Sequence, residues 1–435
     1  MLTKGFSRRD VVKAGVAGVA GAAITGRTGM RTFAAPARQE QVELTFAGIK
    51  LFGPDQIAKL LAGFEAQHPN IKVKYIELPT PNNSTEVHTY LVNALNAKNG
   101  EPDVFTQDCI WIPEFGGAKL AMELDQFISA EDKAAYYPGL IETCTWDGKM
   151  VAWPWFVDGG FLYYRKDLLE KHNLKPPQSW EELTNAATEI VGKEGKPDLQ
   201  GFLWQAKQAE VLVCDWVEFL GSAGGSTLTD LKVTINDDAG NKALQLMYDT
   251  IHTSKITPEA VLTYDEEPSR RPFTSGNAVF LRNWSYVYAL AQDPKESKVV
   301  NQVMFEPLPH FPEGKSTAAL GGYQFGMNAS TKHPKEAWQL MQFLSSPESQ
   351  KSYALEIAVA PTRPAVYDDA ELKAKNPFLV GLKDVFTGST ARPIHPAYPQ
   401  MSLAIQSGLS AALAKKKGVK EALDEVAQQI EDIIG

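Results

Sequence analysis

Residues 42–76 read VELTFAGIKLFGPDQIAKLLAGFEAQHPNIKVKYI, and this stretch decides the fold class. Apolar and polar residues alternate at both of its ends, which predicts strands. Between them the apolar residues recur at helical spacing after a proline, which favours the first turn of a helix. Extended to residue 105, the pattern predicts strands over 42–46, 71–76 and 102–105, and helices over 54–67 and 85–98. A β-α-β-α-β series predicts an α/β lobe with a largely parallel sheet.

Ligands of open α/β sheets lie beyond the carboxyl ends of the strands. The loops after the first and third predicted strands are Gly48–Pro54 and Gln107–Trp111. We therefore expect both loops to border a binding site.

The rest of the chain predicts a second lobe that begins near Phe161–Asp167. Ser179 and Glu182 form the sequence signature of a capping box, at the start of a mostly helical stretch over 181–280. The later pattern predicts strands over 302–307 and 324–328, and helices over 335–344, 347–356, 401–414 and 419–434. No long linker separates the lobes, so short crossings must join them, as in a hinge.

The first 37 residues have the pattern of an export signal. Ser7-Arg8-Arg9-Asp10-Val11-Val12-Lys13 precedes the uncharged run 14–26, which indicates a twin-arginine signal with cleavage near Ala35-Pro36-Ala37. These residues carry six basic side chains against one acid, so their removal takes the formal charge from -9 to -14. An acidic chain without a basic cluster argues against nucleic acid as a partner.

Length and cysteine count limit the alternatives further. About 400 residues after the signal exceed what one hydrophobic core usually organises, so two domains are expected. The cysteines Cys109, Cys144 and Cys214 lack metal-ligand spacing, and the seven histidines are scattered. No metal and no cofactor are therefore expected. Export leaves a Cys109–Cys144 disulfide open, with Cys214 as a buried thiol.

Aromatic and polar residues collect in four short stretches that the pattern places in loops. They are 108–111 (DCIW), 153–160 (WPWFVDGG), 282–286 (RNWSY) and 320–324 (LGGYQ). A sugar presents apolar C–H faces, which pack on aromatic rings, and hydroxyls, which pair with carboxylates and guanidinium groups. These residue types therefore point to carbohydrate binding.

Each stretch also has a purely structural interpretation. Trp153-Pro154-Trp155 is typical of core and turn, Asp158 of a turn cap, and Gly321-Gly322 of a hinge or bulge. The chain lacks the GxxxxGK, HExxH and GxSxG patterns, which disfavours nucleotide hydrolysis, zinc peptidase and α/β-hydrolase chemistry.

An ordered series of segments resembles the solute-binding proteins of carbohydrate ABC importers, in particular the trehalose/maltose-binding branch. The segments include EPDVF at 101–105, DGGFLYYRKDLLEKH at 158–172, FLWQAKQAEVLVCDWVEF at 202–219, GNAVFLRNWSYVY at 276–288, LGGYQFGMN at 320–328 and ARPIHPAYPQMS at 391–402. The resemblance implies an α/β, two-lobed periplasmic-binding-protein fold with a ligand cleft between the lobes and three inter-lobe crossings. The crossings fall near Phe156–Gly160, Gly321–Gly326 and Pro361–Tyr367.

The same resemblance implies the domain bounds and the partners. Residues 1–37 are the signal, 38–157 with 326–362 the N-terminal lobe, and 158–325 with 363–435 the C-terminal lobe. Such a protein is an exported, non-catalytic monomer in the periplasm or at the outer face of the cytoplasmic membrane. It binds a small carbohydrate and delivers it to the membrane permease.

Six positions match ligand residues of that family. The resemblance implies hydrogen bonding for Asp108, Asp158, Gly322 and Arg392, and stacking on a sugar ring for Trp284 and Tyr323. The first-lobe segments 48–53 and 85–88 depart from the trehalose/maltose pattern, so a glucoside with a different second half is also open. The alternative from another class is a secreted glycoside hydrolase that uses Asp108 and Asp158 as its two carboxylates.

Overall fold

The computed structural model describes residues 41–51, 55–229, 231–382 and 389–435. The predicted signal over residues 1–37 lies outside them, as do Phe52, Gly53 and Pro54 of the first predicted loop. In the described part of the chain no helix is both long and apolar enough to cross a membrane.

The strands are numbered β1 to β17 in chain order. They are β1 Val42–Ile49, β2 Ile71–Leu78, β3 Val104–Asp108, β4 Thr145–Trp146, β5 Lys149–Met150, β6 Trp153–Pro154, β7 Phe156–Val157, β8 Phe161–Arg165, β9 Gln200–Leu203, β10 Leu228–Thr229, β11 Lys232–Val233, β12 Ala278–Asn283, β13 Val303–Glu306, β14 Ala318–Ala319, β15 Tyr323–Met327, β16 Ala360–Pro361 and β17 Ser389–Thr390.

The α-helices are numbered α1 to α17 in the same way. They are α1 Gln56–Gln67, α2 Ser84–Asn96, α3 Ile112–Gly117, α4 Ala130–Ala134, α5 Pro138–Thr143, α6 Lys166–Lys171, α7 Trp180–Glu194, α8 Glu210–Ser222, α9 Asp238–His252, α10 Glu266–Thr274, α11 Tyr286–Gln292, α12 Pro334–Leu344, α13 Pro347–Ile357, α14 Ala370–Lys375, α15 Pro377–Gly381, α16 Tyr398–Leu413 and α17 Val419–Ile434. Short 3-10 turns lie at Pro81–Asn83, Cys109–Trp111, Glu259–Thr263 and Pro364–Asp368.

The first lobe is built on a five-stranded sheet in the order β2-β1-β3-β15-β6. β1 runs parallel to both β2 and β3, which confirms the parallel sheet predicted from the opening stretch. β15 returns late in the chain and lies antiparallel to β3 and β6. Helices α1, α2, α12 and α13 supply apolar side chains to the core of this lobe.

The second lobe is built on a four-stranded sheet in the order β13-β8-β12-β9. β8 is antiparallel to β12 and β13, whereas β12 is parallel to β9. The stretch 181–280 is mostly helical, as predicted, but the short strands β9, β10 and β11 also lie inside it. β9 has only four residues, three of them buried, so it shows too little alternation for its period to be recognised.

Strand β15 crosses the lobe boundary that the sequence analysis places between residues 325 and 326. All of β15 pairs with β3, in a register that places Tyr323 opposite Asp108 and Met327 opposite Val104. The backbone hydrogen bonds of a sheet extend along the whole strand, so the chain enters the first lobe by Tyr323.

The predicted crossing segments meet one another between the sheets. β7 pairs with β16, and Asp158 forms an isolated antiparallel bridge with Gly321. Backbone hydrogen bonds therefore link the three crossing segments, which together form the hinge between the lobes.

Local signals in the sequence have clear counterparts. The backbone N–H of Glu182 donates to Ser179 Oγ at 3.2 Å, and the Glu182 side chain accepts from the Ser179 N–H at 3.3 Å, which confirms the capping box. Trp153 and Trp155 are each 1% exposed in the first-lobe core, so the structural interpretation of this run was correct. Cys109, Cys144 and Cys214 are free thiols, so the Cys109–Cys144 disulfide is not formed.

Candidate functional site

A solvent-open cleft of about 830 Å³ lies where the two lobes and the hinge meet. The structure brings all six residues singled out in the sequence to its walls. The first lobe contributes Leu51, Pro81, Asn82, Ser84, Asp108 and Tyr323; the hinge contributes Phe156, Asp158, Gly321, Gly322 and Val359; the second lobe contributes Glu210, Val211, Cys214, Glu266, Trp284, Ser285, Tyr286 and Arg392.

Asp108 and Arg392 join the lobes across this cleft. Asp108 ends β3, and its Oδ1 accepts hydrogen bonds from the Ile110 N–H at 3.3 Å and from Arg392 Nη2 at 3.0 Å. Arg392 comes just after β17, which pairs with β14 beside helix α8 of the second lobe. The ion pair therefore spans the cleft.

Glu210 is the second acidic partner of Arg392 and was missed by the sequence reasoning. Its Oε1 accepts from Arg392 Nη1 at 2.8 Å and from the Tyr398 hydroxyl at 2.5 Å, and Ser402 donates to its Oε2. Burial alone lowers the pKa of Arg392, but the adjacent Asp108 carboxylate raises this pKa well above its ordinary value. The guanidinium thus stays charged between two carboxylates.

Asp158 lies in the hinge and fixes the turn after β12. Its Oδ1 accepts hydrogen bonds from the Gly159 N–H at 2.8 Å and from the Ser285 N–H at 3.1 Å. Burial raises the pKa of Asp158 to about 6, against the lowering effect of these hydrogen bonds. Asp158 thus acts both as a turn cap and as a carboxyl group in the cleft wall.

The Trp284 ring is held on one face and along one edge. The Arg282 guanidinium carbon lies 4.3 Å from the ring centroid, and Trp284 Nε1 donates to Glu266 Oε1 at 3.3 Å. Arg282 itself is fixed because its Nε donates to Glu218 Oε2 at 2.6 Å. Trp284 also lines the cleft.

Gly322 and Tyr323 support the hinge side of the cleft. Gly322 has φ +116°, and a Cβ placed on it would lie 2.3 Å from the Phe156 carbonyl oxygen, so glycine is required there. Tyr323 is 3% exposed, and its ring centroid lies 5.8 Å from that of Trp111 and 6.1 Å from that of Phe156. Its ring belongs to the first-lobe core more than to a free stacking surface.

Of the two first-lobe segments that departed from the family pattern, 48–53 and 85–88, only the first has a described residue in the lining of the cleft. Leu51 lines it after β1, and Pro81, Asn82 and Ser84 line it from the 3-10 turn before α2 and the start of that helix. His88, within the divergent segment 85–88, instead contacts Glu114 Oε2 at 2.6 Å. Among its described residues, the first-lobe wall is therefore neutral apart from Asp108.

The family model for bacterial extracellular solute-binding proteins matches residues 53–351. This chain belongs to that family. A probable ABC transporter-binding protein of Deinococcus radiodurans is 36% identical over 422 residues, which cover 95% of this chain and 98% of that protein.

Solved structures of solute-binding proteins share the whole architecture. Maltose-bound MalE3 of T. maritima is 38% identical, with a TM-score of 0.85 over 90% of this chain and 99% of that one. A solute-binding protein of Thermotoga lettingae bound to α-D-tagatose shares the fold at 24% identity, with a TM-score of 0.80 over 91% and 100% of the two chains. The predicted two-lobed fold is confirmed, and the chain is the substrate-binding component of an ABC transporter.

The chemistry of the cleft suits a neutral, polyhydroxylated solute. It combines a held indole face with carboxyl groups and one guanidinium, which are the groups that hydroxyls pair with. Among the described residues no cluster of His, Cys, Asp and Glu has the arrangement of a metal site.

Two acidic residues of this solute-binding protein had no local signal in the sequence. Glu210 and Glu266 begin helices α8 and α10, where acidic residues are common for reasons of helix stability alone. Pro81 and Asn82 had a usable signal, since a Pro-Asn-Asn-Ser run marks a turn next to a helix start.

Proposed function

We propose that this substrate-binding component captures a disaccharide or another α-glucoside of the trehalose/maltose type and delivers it to the permease of its importer. The observation that carries the proposal is the Trp284 ring, held by Arg282 and Glu266 beside Asp158 in one cleft. A held ring loses little conformational entropy on binding, so its face is a ready platform for the C–H face of a pyranose. The maltose bound to the similar MalE3 structure supports this substrate class.

The roles of the cleft residues are inferred from their contacts. Trp284 stacks on one sugar ring, while Asp108, Asp158 and Arg392 receive or donate hydrogen bonds at its hydroxyls. The backbone of Gly322 approaches the ligand closely because no side chain intervenes. Because the Tyr323 ring is buried, we infer that it supports the wall of the cleft and does not stack on the sugar.

Closure of the lobes is the proposed mechanism of capture. A sugar in the cleft contacts both lobes at once, so it binds the closed arrangement more tightly than the open one. Binding therefore shifts the equilibrium toward the closed arrangement. The Asp108–Arg392 ion pair contributes to the same arrangement because its partners belong to different lobes. The closed protein then presents the outer surfaces of both lobes to the permease.

Export and monomeric state complete the proposal. The twin-arginine pattern at Arg8-Arg9 supports export through the twin-arginine route to the periplasm or the outer face of the membrane. The site uses residues of a single chain, so a monomer suffices for capture.

Calorimetric titration of residues 38–435 with trehalose, maltose, sucrose, glucosylglycerol and glucose tests the proposal. We expect sub-millimolar binding of a glucoside, with no monosaccharide released on prolonged incubation. Release of glucose would support the glycoside hydrolase instead, with Asp108 and Asp158 as its carboxylates. Absence of binding across the panel would refute the α-glucoside assignment.

A further inference from the structure

Glu266 is an acidic residue of the cleft whose side chain is only half satisfied. It is the first residue of α10, is 6% exposed and lines the cleft. Its Oε1 accepts from Trp284 Nε1 at 3.3 Å, whereas its Oε2 is buried without a hydrogen-bond partner among the described residues. A buried acceptor without a donor costs free energy, so its retention in a cleft wall calls for an explanation.

The surroundings of Glu266 do not neutralise this carboxyl group. The positive charge of Arg282 acts on it, but the Arg282 guanidinium is already hydrogen-bonded to Glu218 and Gln205. The neighbouring Asp265 is an acid and pairs with Lys207 at 2.7 Å. Burial, together with the smaller effect of the Asp265 charge, raises the pKa of Glu266 to about 7, and the lowering effects of its own backbone N–H, of Arg282 and of Trp284 do not offset it.

The backbone of Glu266 is held independently of its side chain. Asn283 Nδ2 donates to the Glu266 carbonyl oxygen at 3.1 Å, and Ser269 Oγ donates to it at 2.9 Å. The Asn283 side chain also accepts from the Trp284 N–H at 2.8 Å. The carboxyl group and the indole ring are thus fixed to each other, whether or not Oε2 has a partner.

We propose that Glu266 is a specificity-determining ligand contact, whose Oε2 accepts a hydrogen bond from an equatorial hydroxyl of the sugar ring stacked on Trp284. This inference rests on the proposed function. A pyranose stacked by its C–H face places its equatorial hydroxyls around the rim of the indole. The Glu266 carboxyl lies at that rim, on the Nε1 edge, so one hydroxyl meets Oε2. The substrate class narrows to sugars in which the hydroxyl next to the Glu266 carboxyl is equatorial.

A double-mutant cycle on the full-length chain tests this contact. Kd is measured by calorimetry for wild type, Glu266→Gln and the control Glu259→Gln, whose side chain is 73% exposed. The ligands are maltose, trehalose, and the monodeoxy derivatives of whichever binds more tightly. Glu266→Gln preserves the size of the side chain and an oxygen for Trp284 Nε1, but it replaces the acceptor Oε2 with a donor.

The expected pattern is specific to one hydroxyl. Glu266→Gln weakens binding of the parent sugar by about tenfold or more, and one deoxy derivative is weakened similarly on wild type. That same derivative binds Glu266→Gln within about threefold of the parent sugar, because the shared hydrogen bond is already lost. Glu259→Gln behaves as wild type throughout.

Two results would overturn the contact while leaving the proposed function intact. One is unchanged parent binding by Glu266→Gln; the other is a deoxy series whose losses on Glu266→Gln equal those on wild type at every position. Glu266→Asp, which withdraws the carboxyl group by one methylene, repeats the comparison if thermal unfolding shows that Glu266→Gln does not fold. Failure of wild type to bind either disaccharide would refute the proposed substrate class and the contact with it.

Discussion

Replacement of Trp284 by alanine is the most direct perturbation of the proposed platform, and its cost can be worked out from the contacts of the ring. Arg282 covers one face and Glu266 one edge, so the opposite face is the one that we propose for the ligand. A Trp side chain buries about 150–250 Å² when enclosed, so one face contributes about 60 Å² and the sugar a similar area. At about 25 cal/mol per Å², these ~120 Å² correspond to ~3 kcal/mol, or about a hundredfold weaker binding of maltose.

Calorimetry with maltose measures this effect, and two further variants interpret it. Trp284→Phe keeps a smaller flat face and should lose only about 1 kcal/mol. Tyr90→Ala removes an aromatic ring that is 37% exposed and does not line the cleft, so it should bind as wild type. Binding by Trp284→Ala within about threefold of wild type, with an unchanged melting temperature, would show that the ring is not the platform.

Three further predictions concern stability and are measured by denaturant or thermal unfolding of the ligand-free protein. Gly322→Ala should lower the free energy of unfolding by about 2 kcal/mol or more, because φ is +116° and the added Cβ meets the Phe156 carbonyl. The control Gly192→Ala, in α7 with open space around it, should stabilise the protein slightly. Equal effects of the two substitutions would contradict the backbone argument. Burial raises the pKa of Asp158 from 3.8 to about 6, so the folded state binds this proton more tightly than the unfolded state does, and wild type loses stability as pH rises from about 4 to 6. Over that window the stability of Asp158→Asn should gain roughly 1–2 kcal/mol relative to wild type. A difference in stability between the two proteins that stays constant with pH would argue against the raised pKa. Ser179→Ala should cost about 1 kcal/mol through loss of the N-cap, and an unchanged unfolding midpoint would show that the cap contributes little.

Much of the fold was predictable because its signals are local. The alternation in β1 and β2, the apolar spacing in α1 and the capping box at Ser179 each depend on neighbours within a few positions. The C-terminal helix α17 matches its predicted bounds, since its apolar residues recur at helical spacing throughout. β9 failed the same test because four residues do not display a period.

The candidate site was predictable only in part. The ordered motifs indicated Asp108, Asp158, Trp284, Gly322, Tyr323 and Arg392, and all six line the cleft. Their contacts were not predictable, since Tyr323 proved to be a core ring and Asp108 a partner of Arg392. Glu210 and Glu266 were missed because the sequence around each describes only the start of a helix.

The sequence by itself determined the α/β class, the longer strands and helices, and the family, because periodicity, caps and ordered motifs are properties of neighbouring residues. Only the tertiary structure decided which acids are paired and which keep a free oxygen. Asp108 and Arg392 are 284 positions apart, and Ser285 reaches Asp158 across 127 positions. Hydrogen bonding and desolvation depend on such distant neighbours, so the chemical state of each cleft carboxyl arises from the packing of the two lobes.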